Sequence, residues 1–221
     1  MARKDNQTHS IRSGYRSISI GTWLDEILPL TQESLDPIEL QTRIIAILTG
    51  KTEQEVMNLP ISEYTELSAA SKFLETPVDT GKAGRIASKY TLGDLVLVPC
   101  ADYEKMTAAQ FIDFQTFAKE PDKNVVQLLS VFLVPQGHKY NDGYDVREVQ
   151  AAIRSSLSVQ DAMDAMAFFL TKPLVSLRSS LISLERGIRK IKDKEKREDL
   201  EMKMKEARAI LSQFAGDGSQ M

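Results

Sequence analysis

Cysteine is nearly missing from this chain. Cys100 is the only one in 221 residues, which excludes an intramolecular disulfide and any cysteine-rich zinc site. A reducing compartment is the simplest setting, although a virion or a secreted protein without disulfides is also compatible. Histidine is scarce: His9 and His138 stand far apart and are expected on solvated loops. Trp23 is the only tryptophan, and its expected role is packing. Long apolar runs are lacking. The longest, Val125 to Val134, carries Gln127 and Ser130 and falls well short of the roughly 20 residues that span a bilayer. The first eight residues are polar and no apolar segment follows them, so no secretory signal is expected. A soluble protein without membrane association is the resulting expectation.

Catalytic signatures are lacking as well. There is no Gly-x-Ser-x-Gly elbow, no His-Glu-x-x-His and no dinucleotide fingerprint. Gly81-Lys82 fails as a phosphate loop, because no glycine stands five residues earlier and Ala83 replaces the hydroxyl residue that would meet magnesium. The loop from Gly137 to Asp145 fails as a calcium loop, which needs alternating oxygen ligands and a glutamate at its twelfth position. Cys100 has no basic or histidine neighbour in sequence to lower its pKa. Asp161 and Asp164, three apart on a helical pattern, are expected on a solvated face. The sequence therefore predicts no enzyme, no catalytic residue, no cofactor and no metal site.

Charge is present in ordinary amount but unevenly placed. The net charge is −3, yet residues 1–20 carry Arg3, Lys4, Arg12 and Arg16 against Asp5. Residues 185–208 carry ten basic and seven acidic side chains, which leaves −8 on residues 21–184. An acidic body flanked by basic segments is not the profile of a sequence-specific nucleic-acid binder. It suits an assembly in which basic segments of one copy meet acidic bodies of neighbours.

The fold class expected is mainly α (α+β). Residues 1–20 form an extended basic arm, residues 21–172 a helical body with one β-hairpin near 86–99, and residues 173–221 a charged helical hairpin or one long helix. Thr22 to Leu28 reads as one or two helical turns ending at Pro29. Asp36-Pro37-Ile38-Glu39 starts a helix with a capping aspartate and a proline at its first position, and Gly50 is placed to end it in a left-handed cap. Thr52 to Glu55 is a capping box, and a further helix runs from about Ile61 to Glu75. Ile86–Tyr90 and Leu95–Pro99 bracket Gly93-Asp94 as a hairpin.

Two apolar helices joined at Glu120-Pro121 should form the core. The first has a Thr107/Gln110 capping box and an apolar face of Phe111, Phe114 and Phe117 with Ile112. The second covers the run from Val125 to Val134. Asp145 and Ser158 then cap two more helices. Tyr140 and Tyr144 are expected on display around the Asn141-Asp142-Gly143 turn. Beyond Pro173, Leu174, Leu177, Leu181, Leu184, Ile188 and Ile191 are spaced three and four apart in turn, an a/d heptad seam. A second stripe from Leu200 to Phe214 is out of register with it. Interface residues expected are Arg12, Tyr15 and Arg16 on the arm and Tyr140 and Tyr144 on the loop.

Several short motifs recur in a particular order: Ile47-Leu48-Thr49-Gly50-Lys51-Thr52, Leu59-Pro60, Met106 through Phe114, and Pro135-Gln136-Gly137 with Tyr140 through Asp145. Together, over about residues 40–185, they resemble a protein family found in crAss-like bacteriophages, short-tailed viruses of Bacteroides-type gut bacteria. The resemblance implies a non-enzymatic virion protein, made in the bacterial host cytoplasm and built into the tail or portal vertex. Its partners would be other copies of itself in a homo-oligomeric ring and the portal, connector or tail proteins. The Leu-Pro and Thr-x-x-Gln segments also resemble those of tail-assembly chaperones, which implies the alternative of an assembly factor left out of the mature virion.

Overall fold

The computed structural model describes residues 14–79, 86–100 and 106–170. The chain divides into two compact units, Met1–Met166 and Ala167–Met221. Described residues of the first unit are mainly helical with a small β element, as the sequence predicts, but that element is a three-stranded antiparallel sheet and not a two-stranded hairpin. Expectations for residues 1–13, the Gly81-Lys82 segment, the heptad seam from Leu174 and the second stripe from Leu200 lie outside the described residues.

Three helices form a satellite core. In α3 (Pro37–Thr49) the Asp36 side chain accepts from the Ile38 N–H, Pro37 sits at the first position, and Gly50 closes the helix at φ 66°. The Gly50 and Lys51 N–H groups bond back to the Ile47 and Ala46 carbonyls, the paired pattern of a Schellman cap that only a residue tolerating positive φ supports. The predicted capping box opens α4 (Glu53–Met57), with Thr52 and Glu55 satisfying each other's backbone N–H groups. Pro60 then separates it from α5 (Ile61–Ser71), which tightens into a 3-10 turn over Lys72–Glu75. Ile45, Ala46, Val56 and Leu67 meet between them, with Leu59 and Tyr64 packed alongside.

The N-terminal segment departs from an extended arm. Tyr15–Ser17 is a 3-10 turn, and Tyr15, Ile18 and Ile20 are buried. Ser19 bridges Ser158, while the Ile20 N–H reaches the Leu157 carbonyl and the Val159 N–H reaches the Ile18 carbonyl. Apolar residues at 15, 18 and 20 outweigh the polar composition that argues for an arm. The helical path then runs through α1 (Ile20–Thr22), a π-turn at Trp23–Ile27 and α2 (Leu28–Leu30). Pro29 does not end it. A proline inside an α-helix lacks an N–H and crowds the carbonyl four residues back. Here the wider π-turn, in which the Leu28 N–H bonds to the Trp23 carbonyl, accommodates the ring.

Strand β1 (Tyr90–Leu92) pairs with β2 (Leu95–Pro99) through Leu92 opposite Leu95. The first limb is shorter than Ile86–Tyr90 and lies closer to the turn, since a two-residue Gly93-Asp94 loop forces that register. Gly93 has φ 60° and Asp94 does not take positive φ, as a type II′ turn requires.

Helix α6 (Ala108–Phe117) packs on α7 (Val125–Phe132), and α7 packs on α8 (Val146–Ser156). The apolar run does not remain helical to Val134. It turns into β3 (Leu133–Pro135), which pairs with the open side of β2 through Val98 opposite Val134. Pro135 explains the switch. Continued helix would need its N–H for the Val131 carbonyl, and proline has none. That carbonyl instead accepts the Gln110 side-chain amide at 2.7 Å, and the Phe132 carbonyl accepts the Cys100 N–H at 2.6 Å. Gln110 is therefore buried and does not complete the expected capping box. Thr107 makes its half, accepting from the Gln110 N–H. The buried face of α6 holds Gln110 and Phe114, whose ring meets Phe132 edge-on at 5.3 Å, whereas Phe111 and Ile112 are exposed.

Asp145 and Ser158 cap as predicted, accepting from the N–H groups of Arg147 and Asp161. Residues 159–170 are helical. In the second unit only 167–170 are described; Phe168 and Phe169 are buried there and their rings meet at 5.3 Å.

Candidate interaction surface

Four of the five predicted interface residues fall in the described part; Arg12 lies outside it. Tyr15 is buried under its neighbours. Its hydroxyl donates to the Thr76 carbonyl at 2.7 Å, and its ring meets Trp23 and Phe73 edge-on at 5.6 and 5.2 Å. Burial holds that hydroxyl's pKa above the ordinary tyrosine value. Arg16 is exposed and reaches Asp161 at 2.6 Å and Asp164 at 3.9 Å. The two carboxylates are thus partly covered ion-pair partners of the N-terminal segment rather than a solvated face.

Tyr140 is not on display. It is buried, and its hydroxyl donates to the Asp113 carboxylate at 2.7 Å. Burial first, then that hydrogen bond and the carboxylate's charge, push its pKa strongly up. Tyr144 is half-buried. It accepts the Asn141 N–H at 3.3 Å and stacks edge-on with His138 at 5.8 Å. The turn needs Asn141 at φ 58° and Gly143 at φ 76°, conformations that asparagine and glycine tolerate best. Its rings fold back on the body, so the loop presents backbone and polar groups outward.

Among the described residues, the exposed large apolar side chains lie elsewhere, in two sets. Ile38, Met57 and Ile61 are 65%, 60% and 79% exposed on α3, α4 and α5. Thr42 links their positions: its hydroxyl lies 3.7 Å from the Met57 sulfur and 3.4 Å from the Tyr64 hydroxyl. Ile38 is one turn before Thr42 on α3, and Ile61 is one turn before Tyr64 on α5, so residues i and i+3 or i+4 share a face. The second set is Phe111 and Ile112 on α6. One signal for it was present in the sequence. At about 100° per residue, Ile112 points nearly opposite the bisector of Phe114 and Phe117, so one helix cannot bury all four.

A cleft of about 530 Å³ opens beside Arg43 and Lys51, with Glu26, Ala46, Thr52 and Glu53 in its wall. The Arg43 guanidinium is already met by Glu39 at 2.7 Å and by Glu33 and Glu53 at 3.6 Å. Its positive charge is neutralised from within the fold, which leaves little to attract an anion. Among the described residues no three His, Cys, Asp or Glu side chains converge as a metal site would require, and no helix is long and apolar enough to cross a membrane. Comparison with protein-family models, curated proteins and solved structures yields no match.

Proposed function

We propose that the chain is a non-enzymatic structural subunit of a phage head–tail connector or tail ring, acting through self-association and through contacts with portal, connector or tail proteins. The observation that carries this reading is the pair of exposed apolar sets on different helices. A water-facing Ile61 or Ile112 gains when a partner removes it from solvent, by about 25 cal/mol for each Å² covered. Two dissimilar surfaces on one subunit also suit head-to-tail contacts, and such contacts close into rings when the rotation between copies permits. The motif order that resembles the crAss-like phage family and the acidic body with basic flanks agree with it.

Native mass spectrometry of the full chain tests the association directly. A closed oligomer of defined copy number is expected, and a strict monomer at tens of micromolar refutes the reading. Proteomics and cryo-electron microscopy of purified phage particles together test the location. Symmetric, stoichiometric copies at the portal–tail junction are expected, whereas presence in infected lysate with absence from particles identifies an assembly chaperone instead.

A further inference from the structure

The α3–α5 surface has an unusual combination of charge and exposed apolar side chains. Residues 31–77 carry eight acidic side chains against Arg43, Lys51 and Lys72. Arg43 is further neutralised by Glu33, Glu39 and Glu53. In that acidic setting Ile38, Met57 and Ile61 face water. A partner suited to the face would carry apolar side chains in a stripe and positive charge beside them. This combination excludes an acidic or purely polar partner, and it disfavours a second copy of the same face, because like charges placed opposite each other repel.

One segment of the chain has the required chemistry. Residues 174–192 carry Arg178, Arg186, Arg189, Lys190 and Lys192 against Glu185 alone. The same segment holds the a/d seam from Leu174 to Ile191. Apolar anchors at spacings of three and four, flanked by cations, are the pattern with which one amphipathic segment fills a surface on another protein. The basic residues 1–16 are a poorer match, since their only large apolar side chains are Met1, Ile11 and Tyr15, and Tyr15 is buried in its own body.

We infer that the acidic, apolar face of α3, α4 and α5 in one copy receives the basic segment 174–192 of a second copy. The inference rests on the self-association proposed above. The two surfaces are complementary and not alike, so each copy offers one and accepts the other, and contact propagates in one direction around a ring.

The test uses the full chain, prepared as a mixture of nitrogen-14 and nitrogen-15 protein and treated with a zero-length carbodiimide that joins carboxylates to amines. Mixed-isotope links from Lys190 or Lys192 to acidic residues of α3–α5 such as Glu63 or Glu66 are expected. Ile61→Lys and Arg189→Glu should each weaken association by about tenfold or more, since one places a charge in the apolar contact and the other opposes like charges. Ala151→Lys, at an exposed position of α8 outside both apolar sets, should leave those links unchanged, and circular dichroism confirms that each variant is folded. Links confined to same-isotope pairs overturn the inference, as does an oligomer indifferent to Ile61→Lys. In both cases self-association stands if the wild-type oligomer is intact. A monomeric wild type overturns the inference and the proposed function together.

Discussion

The Gln110 side-chain amide donates to the Val131 carbonyl at 2.7 Å, joining two helices through a buried polar contact. It exists because Pro135 withholds the N–H that a continuing helix would supply. Replacing Gln110 by leucine keeps bulk but leaves the Val131 carbonyl unpaired in the core. A buried acceptor without a donor costs about 1–3 kcal/mol. The urea midpoint of Gln110→Leu should fall accordingly with the slope unchanged. Gln110→Glu carries a sharper signature. Its carboxyl can donate to the carbonyl only when protonated, and burial raises a carboxyl pKa. That variant should therefore be more stable, relative to wild type, in mild acid than at neutral pH. A midpoint for Gln110→Leu equal to wild type would remove the contact from the list of things that hold α6 to α7.

Local signals were the legible part of this fold. Caps at Asp36, Thr52, Asp145 and Ser158, the Gly50 stop and the Gly93-Asp94 turn each depend on a few neighbouring residues, and each forms as the sequence implies. Much of what failed depended on distant partners. The apolar run to Val134 reads as helix throughout, yet its last residues find the open edge of β2, some thirty-five residues earlier. Tyr15 and Tyr140 look like surface aromatics in polar stretches, and each is covered by residues far off in sequence, with Thr76 and Asp113 as hydroxyl partners. The exposed apolar sets were partly readable. Helical angles set Ile112 against its neighbours, but no local rule marks Ile38 or Ile61 as water-facing.

Gly21 faces a close approach that no larger residue fits. A Cβ there would stand 2.5 Å from the Arg154 carbonyl oxygen and 2.8 Å from Arg154 Cγ. On propensity alone, glycine to alanine in a helix gains about 1 kcal/mol. Overpacking against backbone costs about 1–3 kcal/mol or more, and the nearest atom is the backbone carbonyl of Arg154 on α8, not the end of a flexible side chain. Gly21→Ala should consequently lower the thermal midpoint, while also loosening the Arg154 guanidinium from Asp25. A midpoint at or above wild type would show that α1 can slide on α8.

Tyr15 and Arg16 are adjacent but should differ widely in effect. Truncating a buried aromatic side chain costs about 3–5 kcal/mol, and Tyr15→Ala also abandons the Thr76 carbonyl. Arg16 is mostly exposed, so its pair with Asp161 is worth roughly 0–1 kcal/mol and is screened by salt. Guanidinium melts of Tyr15→Ala and urea melts of Arg16→Ala at low and high salt check both. Equal, small losses would mean that residues 14–20 contribute little to the body.

Alkaline pH should unfold the protein through its tyrosines. Tyr15, Tyr90, Tyr140 and Tyr144 all have pKa values raised by burial, with Tyr140 raised furthest and further opposed by Asp113. An unfolded tyrosine ionises near pH 10. A group whose folded pKa lies above that value contributes stability that is complete below about pH 10 and is lost as pH climbs toward the folded pKa. Stability should hold flat up to about pH 10 and decline above it, with tyrosinate absorbance and loss of helix rising together. Tyr140→Phe removes the largest of these contributions. It should lower stability at neutral pH by about 1.5–3 kcal/mol, the net worth of a hydrogen bond to a charged group, and flatten the alkaline decline. An alkaline profile unchanged by Tyr140→Phe would place the loss on Tyr15, Tyr90 or Tyr144, which the corresponding phenylalanine variants would then separate.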